Sequence, residues 1–79
     1  MIKMVIAYVL LISKPGTETQ VLESLQQKPE IVEVKLLYGE YDLIAKVKVE
    51  DVKRLNEFLL ENIRQTPNIE KTSTLIVAN

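Results

Sequence analysis

The stretch IVEVKLLYGEYDLIAKVKV, Ile31 to Val49, holds two alternating runs separated by YGEYD, Tyr38 to Asp42. From Ile31 to Tyr38, Val32, Val34 and Leu36 alternate with Glu33 and Lys35, and from Tyr41 to Val49, Leu43, Ala45, Val47 and Val49 alternate with Lys46 and Lys48. A repeat of two places successive side chains on opposite faces of a strand, so both runs read as half-buried strands. Gly39 and Glu40 suit the two central places of a II′ hairpin, whose first residue needs positive φ. Tyr38 and Tyr41 would then flank the turn as a cross-strand aromatic pair. Asp42 is not accounted for by the turn, because aspartate is disfavoured inside strands.

Working outward, Ile2 to Ile12 is rich in Ile, Val, Leu and Tyr and is closed by Lys14, Pro15 and Gly16, which predicts a first strand. Thr17 followed by Gln20 fits a capping box, and Val21, Leu22 and Leu25 share a helical face until Pro29 forbids continuation. On the other side of the hairpin, Asp51 can cap a helix in which Val52, Leu55, Phe58, Leu59 and Ile63 recur, ended by Thr66 and Pro67. Ile69 to Ala78 supplies a last strand. The order βαββαβ predicts an α+β, ferredoxin-like fold: a four-stranded antiparallel sheet in the order 4-1-3-2 with two helices on one face.

A sheet covered on one face leaves the other to water, and that face is ordinarily polar. Strand 1 violates this: Val5, Ala7, Val9 and Leu11 point one way, Met4, Ile6, Tyr8, Leu10 and Ile12 the other, and both sets are apolar. The end of strand 4, Leu75 to Ala78, is apolar on both sides as well. Because strands 1 and 4 are neighbours, a sizeable apolar patch must be covered, and a partner sheet is the expected cover. A standard interface of roughly 800 Å² per subunit would bring many kcal/mol of apolar burial before association costs. Met4, Ile6, Tyr8, Val9, Leu75 and Val77 are the expected dimer contacts.

Composition supports assembly. A chain of 79 residues with 47% hydrophobic content fits a single small domain, which buries a modest share of its surface. It has no cysteine and no histidine, so disulfides, thiolate-held metals and the commonest general base are all missing. No cofactor or metal is expected, and no enzymatic activity. Ten basic and eleven acidic residues nearly cancel, which argues against direct nucleic-acid binding. MIKMVIAYVLLI resembles the start of a secretory signal, but Ser13, Lys14, Pro15 and Gly16 offer no cleavage site, and the run is too short to span a bilayer. The expected location is the cytoplasm, with no membrane partner.

The predicted topology places YGEYD at the end of the sheet where strand 1 closes and strand 4 opens, near Thr72, Ser73 and Thr74. Across one intervening strand the separation from Asp42 is about 10 Å. Pro15, Gly16 and Thr17 add backbone donors at the start of the first helix. Carboxylate, hydroxyls and backbone N–H groups would together suit a zwitterion.

The pair Pro15-Gly16, the hairpin YGEYDLIAKVKV, the L-x-x-F-L of Leu55 to Leu59 and the closing TSTLIV of Thr72 to Val77, taken in order, resemble the effector-binding domain of the leucine- and asparagine-responsive regulators. This is the RAM domain of the Lrp/AsnC family, and the resemblance covers essentially the whole chain. It implies dimers formed through the sheets, joined into tetramers, octamers or rings, and a free amino acid bound between dimers at Gly39, Glu40, Tyr41 and Asp42, with Thr72 and Thr74 nearby. Family members usually carry an N-terminal helix-turn-helix, whereas here the first strand follows Met1 almost at once. The chain therefore resembles a stand-alone RAM protein over residues 1–79, sensing an amino acid or joining a full-length regulator. Two other readings share the topology: a structural oligomerisation module without ligand, and a dimeric barrel enzyme with Asp42 or Glu40 as general base. An RNA-recognition module is disfavoured, since LIAKVKV lacks interleaved aromatics.

Overall fold

The computed structural model describes residues 4–79, so Ile2 and Lys3 of the predicted first strand lie outside the described residues. The elements follow the predicted order: β1 (Val5–Ser13), α1 (Glu18–Gln26), β2 (Ile31–Leu36), β3 (Leu43–Val49), α2 (Val52–Phe58) continued by a π-helical turn (Leu59–Ile63), and β4 (Ile69–Ile76). The sheet order is β2-β3-β1-β4 with every neighbouring pair antiparallel, which is the ferredoxin-like arrangement.

The helices cover one face of the sheet. Ala7, Val9 and Leu11 of β1 and Leu43, Ala45, Val47 and Val49 of β3 meet Val21 and Leu25 of α1 and Leu55, Phe58 and Ile63 of the second helix in one buried core. Burial of large side chains such as Phe58 and Leu11 drives this packing. Val9 is therefore a core residue, fully buried beneath the helices, and not a contact on the uncovered face. Both faces of β1 are apolar, so its own composition could not tell them apart.

Local details differ from expectation where tertiary contacts compete with local pattern. The Thr17 hydroxyl does not cap α1. It donates to the Lys14 carbonyl at 2.6 Å inside the Pro15-Gly16 turn, while Gln20 accepts from Asn68 at 3.4 Å, so the capping box is not formed. Asp51 does cap α2, accepting from the Arg54 N–H at 2.8 Å. The widened turn that follows has its own logic. Phe58 and Ile63 are five residues apart and both fully buried, and an i to i+5 turn brings that spacing onto one face; the Arg64 N–H donates to the Leu59 carbonyl at 2.9 Å. Val52, assigned to the same apolar stripe, is exposed.

Candidate ligand loop and self-association face

Strands β2 and β3 stop short of the predicted two-residue turn. The last ladder pair is Leu36 with Leu43, and the Leu37 N–H donates to the Asp42 carbonyl at 2.7 Å, which leaves Tyr38, Gly39, Glu40 and Tyr41 as a four-residue loop. Gly39 has φ of 136°, so positive φ is needed there, although the II′ hairpin is not formed. Tyr38 is fully exposed and Tyr41 half-buried, and neither lies in the ladder, so they form no cross-strand pair. A loop of four residues projects its tip away from the sheet, and Glu40 at that tip is exposed.

Asp42 is tied to strand β1. Its N–H donates to the Leu11 carbonyl at 2.8 Å, and its Oδ2 accepts from the Ser13 N–H at 2.9 Å and lies 3.5 Å from the Ser13 hydroxyl. The turn did not explain Asp42, and this contact does. No nearby sequence signal could have found it, because Ser13 lies 29 positions away.

Beside the loop is a cleft of about 370 Å³ lined by Glu18, Thr19, Leu36, Leu37, Tyr38 and Asp42. Its wall opposite the loop is the first turn of α1, where Glu18 also accepts from the Gly16 N–H at 3.3 Å. Thr72 and Thr74 do not line it. They pair with Leu11 and Val9 on β4, so the whole width of β1 separates them from the loop, and Glu18 and Thr19 stand in the cleft instead. The sequence does not single out Glu18 or Thr19, which carry no motif and reach the loop only through the packing of α1 on the sheet. Among the described residues no group of three or more Asp or Glu side chains is placed to hold a metal ion.

The face of the sheet turned away from the helices follows from register, since directly opposed residues share a face. Tyr8 stands between Lys46 of β3 and Leu75 of β4, Leu10 between Ile44 and Ser73, and Ile6 opposite Lys48, while Ile12 pairs with Lys71. Ile6, Tyr8, Leu10 and Ile12 are all partly exposed, and Leu75 and Val77 are 55% and 37% exposed. Met4 is also exposed and lines, with Ile6 and Val77, a second cleft at the far end of this strand pair. An apolar stripe thus runs down the middle of the open face, bordered by Lys46, Lys48 and Lys71. No helix among the described residues is long and apolar enough to cross a membrane.

The sequence model described as the Lrp/AsnC ligand binding domain matches residues 6–79. The HTH-type transcriptional regulator FL11 of Pyrococcus horikoshii is 38% identical over 72 residues, covering 91% of this chain and 47% of FL11. The chain spans about half the length of the curated FL11 regulators it matches. The crystal structure of the hypothetical protein PHS023 from Pyrococcus horikoshii superposes with a TM-score of 0.90 at 43% identity, covering 95% of this chain and 90% of that one. AsnC of E. coli superposes with a TM-score of 0.90 at 26% identity, over 95% of this chain and 51% of AsnC. The chain belongs to the Lrp/AsnC ligand binding domain family.

Proposed function

We infer that this chain is a small-molecule sensing and oligomerisation unit, which binds a free amino acid and converts that binding into a change of assembly. The observation that carries the reading is the open sheet face: Ile6, Tyr8, Leu10, Ile12, Leu75 and Val77 make an apolar surface that a second sheet of the same kind would cover. Residues 1–79 act together as one such unit. Two copies join through this face, and dimers join further into tetramers, octamers or a ring.

The ligand site is the loop Gly39 to Asp42 with its adjoining cleft, completed by a neighbouring dimer. Gly39 lets backbone N–H groups approach a carboxylate, and Asp42, whose Oδ2 is already engaged, offers Oδ1 to an ammonium group in a charge-assisted contact. Thr72 and Thr74 then act from a neighbouring subunit, since they do not reach the cleft of their own chain. A ligand bound between dimers stabilises whichever assembly forms that site, by the difference between its affinities for the two states. Kinship with longer HTH-type regulators supports a second partner, a full-length regulator that presents the same sheet face.

Engagement of Asp42 with Ser13 favours one other reading, a purely structural oligomerisation module in which Asp42 serves the fold. No observation of comparable weight favours an enzyme: Glu40 is exposed in the loop and does not line the cleft. Native mass spectrometry and thermal unfolding with each of the twenty amino acids separate sensing from scaffolding. Sensing predicts that at least one amino acid changes the mass distribution and raises the melting temperature; scaffolding predicts that none does.

A further inference from the structure

The β1–β3 ladder ends too early for β1. The Leu11 carbonyl takes the Asp42 N–H, so the backbone polar groups of Leu11 point toward β3, and by the two-residue repeat those of Ser13 do as well. Yet β3 begins at Leu43, and the chain before Asp42 has turned into the loop. The Asp42 carboxylate occupies the missing acceptor place, 2.9 Å from the Ser13 N–H. Ser13 is 3% exposed, so water cannot readily satisfy that N–H in its stead. On the other side of β1 the register with β4 shifts between Ile12 and Ser13, so backbone pairing is irregular there too.

We propose that Asp42 is a positioning residue whose carboxylate fastens the Tyr38–Tyr41 loop to the end of β1, so that movement of the loop is felt at Ile12 on the open sheet face. Three hydrogen bonds converge on this one residue: its carbonyl closes the loop at Leu37, its N–H joins Leu11, and its Oδ2 holds Ser13. Ile12 is the immediate neighbour of Ser13 and projects to the opposite face, toward Lys71 and the apolar stripe. The joint needs an acceptor at the Oδ2 position and not a negative charge. Asparagine can supply that acceptor and alanine cannot.

The test uses the full chain without any ligand and reads amide exchange together with the Ile12 methyl resonance. In Asp42→Ala the Ser13 amide should exchange at least about tenfold faster, the scale expected when a buried N–H is left without its acceptor, the Leu37 amide should exchange faster as the loop loosens, and the Ala45 and Val47 amides should be unchanged. The Ile12 methyl signal should shift in that variant, and Asp42→Asn should restore both readouts to near wild type. Unchanged Ser13 exchange in Asp42→Ala, an unmoved Ile12 signal, or an Asn variant as perturbed as Ala overturns the proposal. Should Asp42→Ala fail to fold, a scalar coupling across the Ser13 N–H to Asp42 bond in the wild-type protein decides, its presence supporting the joint and its absence refuting it. Neither readout involves an amino acid, and wild type and variants are compared at matched assembled mass because Ile12 lies on the open face, so a failed ligand panel and a failed coupling are separate results.

Discussion

The two faces of β1 have almost the same composition and opposite fates. Ala7, Val9 and Leu11 are fully buried beneath the helices, whereas Ile6, Tyr8, Leu10 and Ile12, equally apolar, remain partly exposed. One face forms the core of a single chain, and the other has the character of a core cut in half. We read the apolar residues of this strand as serving folding on one face and, as proposed above, association on the other. Substitution of neighbouring residues should therefore separate the two roles.

The largest expected effect is at Val9. A carboxylate placed there is buried without a partner, and Val9→Asp should cost at least about 4 kcal/mol. That is comparable with the whole stability, roughly 4 to 12 kcal/mol, of a domain of this size. Denaturant unfolding followed by circular dichroism should show that loss or an unfolded chain, and a Val9→Asp variant as stable as wild type would break the assignment of the two faces. Next is the helix layer on the same side. Phe58→Ala should lose about 3 to 5 kcal/mol in denaturant unfolding, because its side chain is fully buried where the π-helical turn aligns it with Ile63. Removing the Asp51 side chain, which caps α2 at 2.8 Å, should cost about 1 kcal/mol in the same measurement. The smallest effect belongs to Arg54, whose 2.8 Å pair with Glu30 joins α2 to the start of β2. Its side chain is 41% exposed and the pair solvent-screened, so Arg54→Ala should change stability by no more than about 1 kcal/mol and less at high salt.

The fold was legible because local signals agreed with one another. Alternation gave the strands, Pro29 and Pro67 ended the helices, and Asp51 marked a true cap. The side of β1 that meets the helices was legible too, though only through a neighbour: Lys46 and Lys48 make one face of β3 polar, and register with Tyr8 and Ile6 carries that polarity across to β1. Taken alone, β1 led to Val9 being placed among the interface residues. The π-helical turn left a trace in the five-residue spacing of Phe58 and Ile63, which a strict helical repeat obscures. Thr17 satisfied the pattern of a cap, but the Lys14 carbonyl competed for its hydroxyl. Asp42 could be singled out as unexplained, but its contact with Ser13 depends on a loop longer than the turn pattern suggested. Loop length and contacts across 29 residues are tertiary outcomes, which local spacing does not encode.

On our proposal the open face of the sheet is a self-association surface while the face beneath the helices is the core. Sedimentation of Leu10→Asp beside the wild-type chain tests it most directly, since Leu10 adjoins Val9 but lies in the middle of the open face. The wild-type protein should sediment as a multiple of its 9.0 kDa chain mass, and the variant as a folded 9.0 kDa monomer. A wild-type monomer, or a Leu10→Asp variant that keeps the wild-type mass, would contradict it.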